Sequence, residues 1–290
     1  MEWYGIIPLM LGVNQYGKAE THLVRVVRDG DVHELRDLLV SVALSGSLDA
    51  VHVSGDNRAV LATDTQKNTV YAFAKEHGVG TPEEFARLLA RHFLGGAITQ
   101  ARVQVVEVAW ARLGDHAFAQ SAREQRVATV ISSPDADWFV SGVSELVVLK
   151  TTDSEFHGFP RDRYTTLAET TDRVLATAVS ARWRHDGTAA FDDARRALVD
   201  TFTAHHSLSL QQTLYAMGTA VLDACAPVAE VRLSMPNKHH FVVDLSPFGL
   251  TNDNEVFHAD DRPYGLIEGA VVRDGAPGPG PVWDPYPLVR

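Results

Sequence analysis

Apolar and polar residues change their spacing several times along this chain, and each change marks an element. Lys18 to Arg28 (KAETHLVRVVR) and Val32 to Ser47 read as two long strands, and Asp29-Gly30-Asp31 between them is a compact hairpin signal that makes the pair antiparallel. The period then lengthens. VLATDTQKNTVYAFAKEHG, Val60 to Gly78, starts like a buried strand and ends as an amphipathic helix with Val70, Phe73, Ala74 and His77 on one face. GTPEEFARLLARHFL predicts a second helix. It has Thr81 as N-cap, Pro82 at the first helical position and Glu84 closing the capping box. Strand-like runs follow at Ala101 to Leu113 and Phe118 to Ser132, ending in the turn SSPDAD.

The second half repeats this order. DWFVSGVSELVVLK and RVLATAVSARWRH read as strands, FDDARRALVDTFTAHH and SLQQTLYAMGTAVLDAC as helices, and AEVRLSM and HHFVVDL as strands again. MPNKHHF then sets Asn237, Lys238 and His239 on the turn between the last two strands, since Pro-Asn is ordinary turn chemistry. Strand, strand, helix, helix, strand, strand, taken twice, gives an α+β chain with antiparallel sheet and halves of 1–134 and 135–290. No sequence identity between the halves is visible, so the repetition rests on element order. The Gly/Pro-rich tail GAPGPGP reads as flexible.

Two helix starts carry more polar chemistry than a helix needs. Thr63 and Asp64 stand where strand gives way to helix, and two readings are open: they cap the helix, or the helix tip with its free N–H groups binds an anion. Ser209 and Gln212 read as a second capping box, ahead of an apolar face of Leu214, Met217 and Val221, which leaves Gln211 over. Lys18 opens the first strand, and Phe156, Phe159 and Arg173 lie in a long segment too polar for a core. Two helix tips with a spare Gln, an Arg and a Lys suit the edges of a flat anionic heterocycle.

Composition narrows the field. The 290 residues are 45% hydrophobic and 22% charged, which suits a soluble globular protein with one large core or two moderate ones. With 37 acidic against 26 basic residues, the net charge of -11 disfavours nucleic acid and anionic membrane as partners. An anionic ligand therefore needs a local basic site. Cys225 is the single cysteine, so no internal disulfide forms and a reducing compartment fits; in LDACAP it plugs a helix–core contact. The run YGIIPLMLGV supports neither a signal peptide nor a membrane span, and the final PLVR matches no address signal. His205-His206 and His239-His240 are adjacent pairs, but neighbours on a strand point to opposite faces, and no HxxxH or CxxC spacing occurs, so no metal site is assigned.

YGK, ATDTQKNTVY, FHGF with RDRYTTLAETTDR, SLQQT and PNKHHF, in this order over nearly the whole chain, closely resemble the urate oxidase (uricase) family. The resemblance implies the tunnelling fold (T-fold): two ββααββ halves per subunit, in a barrel-shaped homotetramer with active sites at subunit interfaces. It implies oxidation of urate by dioxygen and water to 5-hydroxyisourate and hydrogen peroxide, with no cofactor. Phe156 then falls on the ring-stacking position, Arg173 on the guanidinium fork, and Gln211 on the amide that reads the pyrimidine edge. Backbone N–H groups of Asp64 and Leu210 match positions that bind urate oxygens. Thr63, Lys18 and His239 match the proton-handling groups, with Asn237 and His239 above the ring where dioxygen and then water sit. His157, after the stacking Phe, is a position of aromatic replacements. Ending without a Ser-Lys-Leu type signal, the chain is expected to be cytoplasmic. Two alternatives are a purine or pterin converter such as a cyclohydrolase, disfavoured by the lone Cys225, and a non-catalytic purine-binding tetramer.

Overall fold

The computed structural model describes residues 10–283. Most of the apolar run Tyr4–Val13, and the closing Pro287–Arg290, lie outside the described residues. The elements are β1 (Tyr16–Val27), β2 (Glu34–Gly46), α1 (Asp49–Val53), α2 (Thr63–Glu76), α3 (Pro82–Phe93), β3 (Ile98–Arg112), β4 (Phe118–Ser132), β5 (Asp137–Lys150), β6 (Leu175–His185), α4 (Phe191–Ala204), α5 (Leu210–Ala224), β7 (Val228–Val242) and β8 (Phe257–Val272). Apart from the short α1, this is ββααββ twice, an α+β architecture with antiparallel strands.

The chain divides into two compact units. The first holds the residues up to Val106 with Thr129–Asp137 and Trp283; the second holds Glu107–Ala128 and Trp138–Val282. In the first, β1 and β2 pair antiparallel from Tyr16 opposite Leu44 to Val27 opposite Glu34, with residues 28–33 as the connection. Leu38, Val40, Val42 and Leu44 of β2 are fully buried or nearly so, as alternation on one face requires. The helix α3 buries Phe85, Ala86, Leu89, Ala90 and Phe93, the three-and-four spacing of an amphipathic face. Its Thr81–Glu84 capping box is complete.

In the second unit β5, β6, β7 and β8 follow one another as an antiparallel meander. Leu175, Val179, Ala181 and Trp183 of β6, with Val231, Leu233 and Met235 of β7, meet Leu198 and Phe202 of α4 and Leu214, Met217 and Val221 of α5 in one core. Each such large side chain, taken from water, contributes about 1.5–3 kcal/mol. A Cβ on Gly218 would stand 2.5 Å from the Val271 side chain, so only glycine lets α5 lie this close to β8. Cys225 is buried in this core and burial raises its thiol pKa, consistent with a packing role.

Two expectations need correction. The stretch MPNKHHF is no turn: β7 runs unbroken through it, with Asn237 opposite Thr177 of β6 and Gly265 of β8. Pro236 is tolerated because its ladder partner is Leu266 on β8 and it has none on β6, where no N–H is then missed. The last strand of the meander is therefore β8, in a stretch where the sequence offered no strand. In the GAPGPGP stretch the Pro277 carbonyl accepts from Arg184 Nη2 at 3.0 Å, and Val282 just beyond it is buried. Among the described residues no helix is long and apolar enough to cross a membrane.

Candidate active site

A cavity of about 570 Å³ in the second unit is lined by Phe156, Arg173, Asn237 and His239, with the Thr166–Ala168 segment and Phe257 among its other walls. The segment between β5 and β6 carries Phe156 and Arg173, and a short ladder shapes it. Phe156 and Thr170 exchange backbone hydrogen bonds at 2.8 and 3.0 Å, so the chain returns on itself and brings Arg173 back beside Phe156. The Arg173 guanidinium carbon lies 5.2 Å from the Phe156 ring centre, a cation–π contact. Phe156 also stacks on Phe159, centroids 5.0 Å apart and planes 15° apart, which backs the ring that lines the cavity. Burial alone lowers the Arg173 pKa, a cost that desolvation imposes on any half-buried cation.

The same segment is sewn to the start of α5. Ser207 donates its N–H to Asp153 at 2.9 Å and its carbonyl accepts from Glu155 at 2.7 Å. Its buried hydroxyl accepts from Thr213 at 2.8 Å and donates to the Ser209 carbonyl at 3.2 Å. Ser209 is the N-cap of α5 and accepts from the Gln212 N–H at 3.2 Å. The reciprocal bond expected from Gln212 to Ser209 goes instead to the N–H of Leu208, at 2.9 Å, because the chain before the cap folds over the first turn. What remains uncommitted among the described residues is the Leu210 N–H, the Gln211 N–H and the whole Gln211 amide, which is exposed. The polar residues Ser154, Ser207 and Thr213, fully buried or nearly so, were missed in the sequence, where isolated Ser and Thr carry no distinguishing signal.

Asn237 and His239 reach the cavity from β7. A register shift against β8 falls between them, and His239 stacks on Phe241 at 5.6 Å. His157 points elsewhere in chemical terms: its Nε2 meets Glu155 at 2.8 Å, and the other Glu155 oxygen holds His206 Nε2 at 2.6 Å. The bond to Glu155 raises the His206 pKa, and the two histidines, His206 foremost, hold Glu155 below the usual carboxylate range. No group of three or more His, Cys, Asp or Glu among the described residues is placed to hold a metal ion.

Lys18, Thr63 and Asp64 belong to the first unit. Gly17 lies so tightly against β2 that a Cβ would stand 1.8 Å from the Val42 carbonyl oxygen, and the β1 register shifts just after Lys18. The lead-in to α2 is held at both groups of Leu61: its N–H donates to the Tyr16 hydroxyl at 2.9 Å, and its carbonyl accepts from the buried Gln66 amide at 3.3 Å. Neither Thr63 nor Asp64 caps α2. The N-cap is Ala62, which has no side chain to offer, and the Asp64 carboxylate turns to Lys67 at 2.5 Å and Asn68 at 3.0 Å. The bond to Lys67 lowers its pKa most, with a smaller contribution from the Lys18 charge, which puts Lys18 within electrostatic reach of the α2 tip. The first-turn N–H groups and the Thr63 hydroxyl have no partner among the described residues. An uncapped tip leaves its N–H groups and the positive end of the helix dipole pointing outward.

The family model described as uricase matches residues 14–131 and 139–268. A uricase of Arthrobacter globiformis is 50% identical over 284 residues, covering 95% of this chain and 94% of the relative. A uricase of Dictyostelium discoideum is 38% identical over 277 residues, covering 90% and 96%. Among solved structures, the crystal structure of the Arthrobacter globiformis uricase superposes with a TM-score of 0.91, covering 95% of this chain and 99% of that one. The uricase from Bacillus fastidious, at 24% identity and a TM-score of 0.78, shares the fold.

Proposed function

The chain belongs to the uricase family, and on that premise we propose that it oxidises urate with dioxygen and water to 5-hydroxyisourate and hydrogen peroxide, without metal or organic cofactor. The observation that carries this reading is the uncapped α2 tip beside Lys18, matched by the free Gln211 amide and Leu210 N–H on α5. Urate is a flat anion whose edges alternate carbonyl and N–H groups. Arg173 supplies a rigid fork for one edge and Gln211 a donor and an acceptor for the other, while Phe156 holds the face. The N–H groups of Asp64 and Leu210 take carbonyl oxygens.

Fixed positive charge and aimed N–H groups favour the ionised ring. The electron-rich dianion passes two electrons to dioxygen, which leaves as hydrogen peroxide; the oxygen of water joins the ring at C5, and atoms balance. Lys18, Thr63 and His239 carry the protons, as positioned acid–base groups worth about 10²–10⁴-fold in rate. Asn237 and His239 hold dioxygen and then water above the ring.

Lys18, Thr63 and Asp64 lie in one unit and Phe156, Arg173, Gln211, Asn237 and His239 in the other; following the family resemblance, the reading joins the two sets across an interface between neighbouring subunits of a homotetramer. It keeps two T-fold halves, 1–134 and 135–290. It also places the enzyme in the cytoplasm, in keeping with its lone, buried Cys225. The test is metal-stripped protein with urate in air. Loss of urate absorbance with one peroxide released per urate is expected; urate loss only after a metal is restored, or no loss, rejects it.

A further inference from the structure

Arg173 is tied twice to one residue. Its backbone N–H donates to the Ser154 carbonyl at 3.0 Å, and its Nε–H donates to the Ser154 hydroxyl at 3.2 Å. Ser154 is fully buried, so no water competes for that hydroxyl. A guanidinium offers two forks, the side pair Nε–H with Nη2–H and the end pair Nη1–H with Nη2–H. With Nε committed, only the end pair is left, and neither Nη has a partner among the described residues. Ser154 is also bridged to Ser207, the residue whose hydroxyl bonds lead into the α5 cap. One buried serine therefore fixes both the rotation of Arg173 and its distance from the α5 tip.

We propose that Ser154 is a positioning residue that selects the end-on fork of Arg173 for the substrate. Two parallel donors need two neighbouring acceptors in one plane, which an anionic purine presents as a carbonyl oxygen beside a deprotonated ring nitrogen. A neutral ring offers an N–H there and opposes the fork. The inference rests on the functional reading above and adds the group that sets its specificity.

The test is a double-mutant cycle on the full-length protein, with anaerobic urate binding by calorimetry and steady-state kinetics in air. Ser154→Ala is expected to weaken anaerobic binding and raise KM on the order of tenfold, with kcat changed less than about twofold, because a charge-assisted bond that orients the fork is lost. In an Arg173→Lys background the same change is expected to do nothing further, since lysine has no Nε–H. Should Ser154→Ala fail to assemble, Ser154→Cys keeps the volume with a weak acceptor and is read in the same cycle. Equal losses in both backgrounds, or unchanged binding in the single variant, overturn the assignment of Ser154. Wild-type protein that neither binds nor consumes urate sinks the functional reading instead, so the two failures are distinct.

Discussion

The Tyr16 hydroxyl accepts the Leu61 N–H at 2.9 Å, joining the strand that carries Lys18 to the turn that launches α2. Tyr16 is partly buried, and burial raises its pKa, so it stays a neutral phenol. Tyr16→Phe is expected to cost about 1 kcal/mol of stability through the orphaned N–H. It is also expected to lower kcat/KM several-fold by loosening the tip at Thr63. Denaturant unfolding and steady-state kinetics read the two effects. Loss of stability with unaltered kinetics rejects a link between this bond and the site.

Lys18→Met is expected to lower kcat by about 10²-fold or more with KM changed little, because in the proposed mechanism the side chain moves protons rather than gripping the ring. Steady-state kinetics at saturating urate decide it. A rise in KM at constant kcat assigns Lys18 to binding.

Thr63 and Asp64 are expected to behave differently although adjacent. The Asp64 carboxylate is occupied by Lys67 and Asn68, so only its backbone N–H is left for substrate. Asp64→Asn should leave kcat/KM within about threefold, while Thr63→Ala should lower kcat by about tenfold or more through its uncommitted hydroxyl. The reverse order of effects removes Thr63 from the proton path.

The Glu155–His206 pair gives stability a pH window. Glu155 titrates lower when folded, so its contribution is present above its ordinary value and lost as pH falls through the lowered one; His206 titrates higher, so its contribution is present below its ordinary value and lost as pH rises through the raised one. The Tm gap between wild type and Glu155→Gln is expected to be greatest at pH about 5–6.5. It should shrink at both flanks. Thermal melts across pH read it, and a gap independent of pH assigns Glu155 a packing role only.

Local signals were legible in the sequence because neighbouring residues supply both halves of the physics. Thr81 and Glu84 cap each other within one turn, and Leu214, Met217 and Val221 share one face of α5. The β7–β8 meander was not legible: Pro236-Asn237 has the chemistry of a turn, and only the partner Leu266 across the ladder shows that proline sits there harmlessly. Phe156 and Arg173 stood out in a segment too polar for a core and Gln211 as a side chain left over at a helix start, while the roles proposed for them came from the family resemblance. Ser154 and Ser207 escaped because a buried serine is defined by what surrounds it, and its partners lie 19 and 6 residues away, at Arg173 and Thr213. The capping role open to Thr63 and Asp64 was settled by a neighbour's emptiness, the bare Ala62 N-cap.

Complementation between Lys18→Met and Arg173→Gln chains tests the proposed shared site most directly. Co-expressed in equal amounts, each chain brings the intact part the other lacks. Half of all sites draw the Lys18 side from an Arg173→Gln chain and half of those draw the Arg173 side from a Lys18→Met chain, so about a quarter of wild-type urate oxidation is expected. Activity no higher than either parent, in mixed tetramers shown to have formed, contradicts a site built from two neighbouring chains.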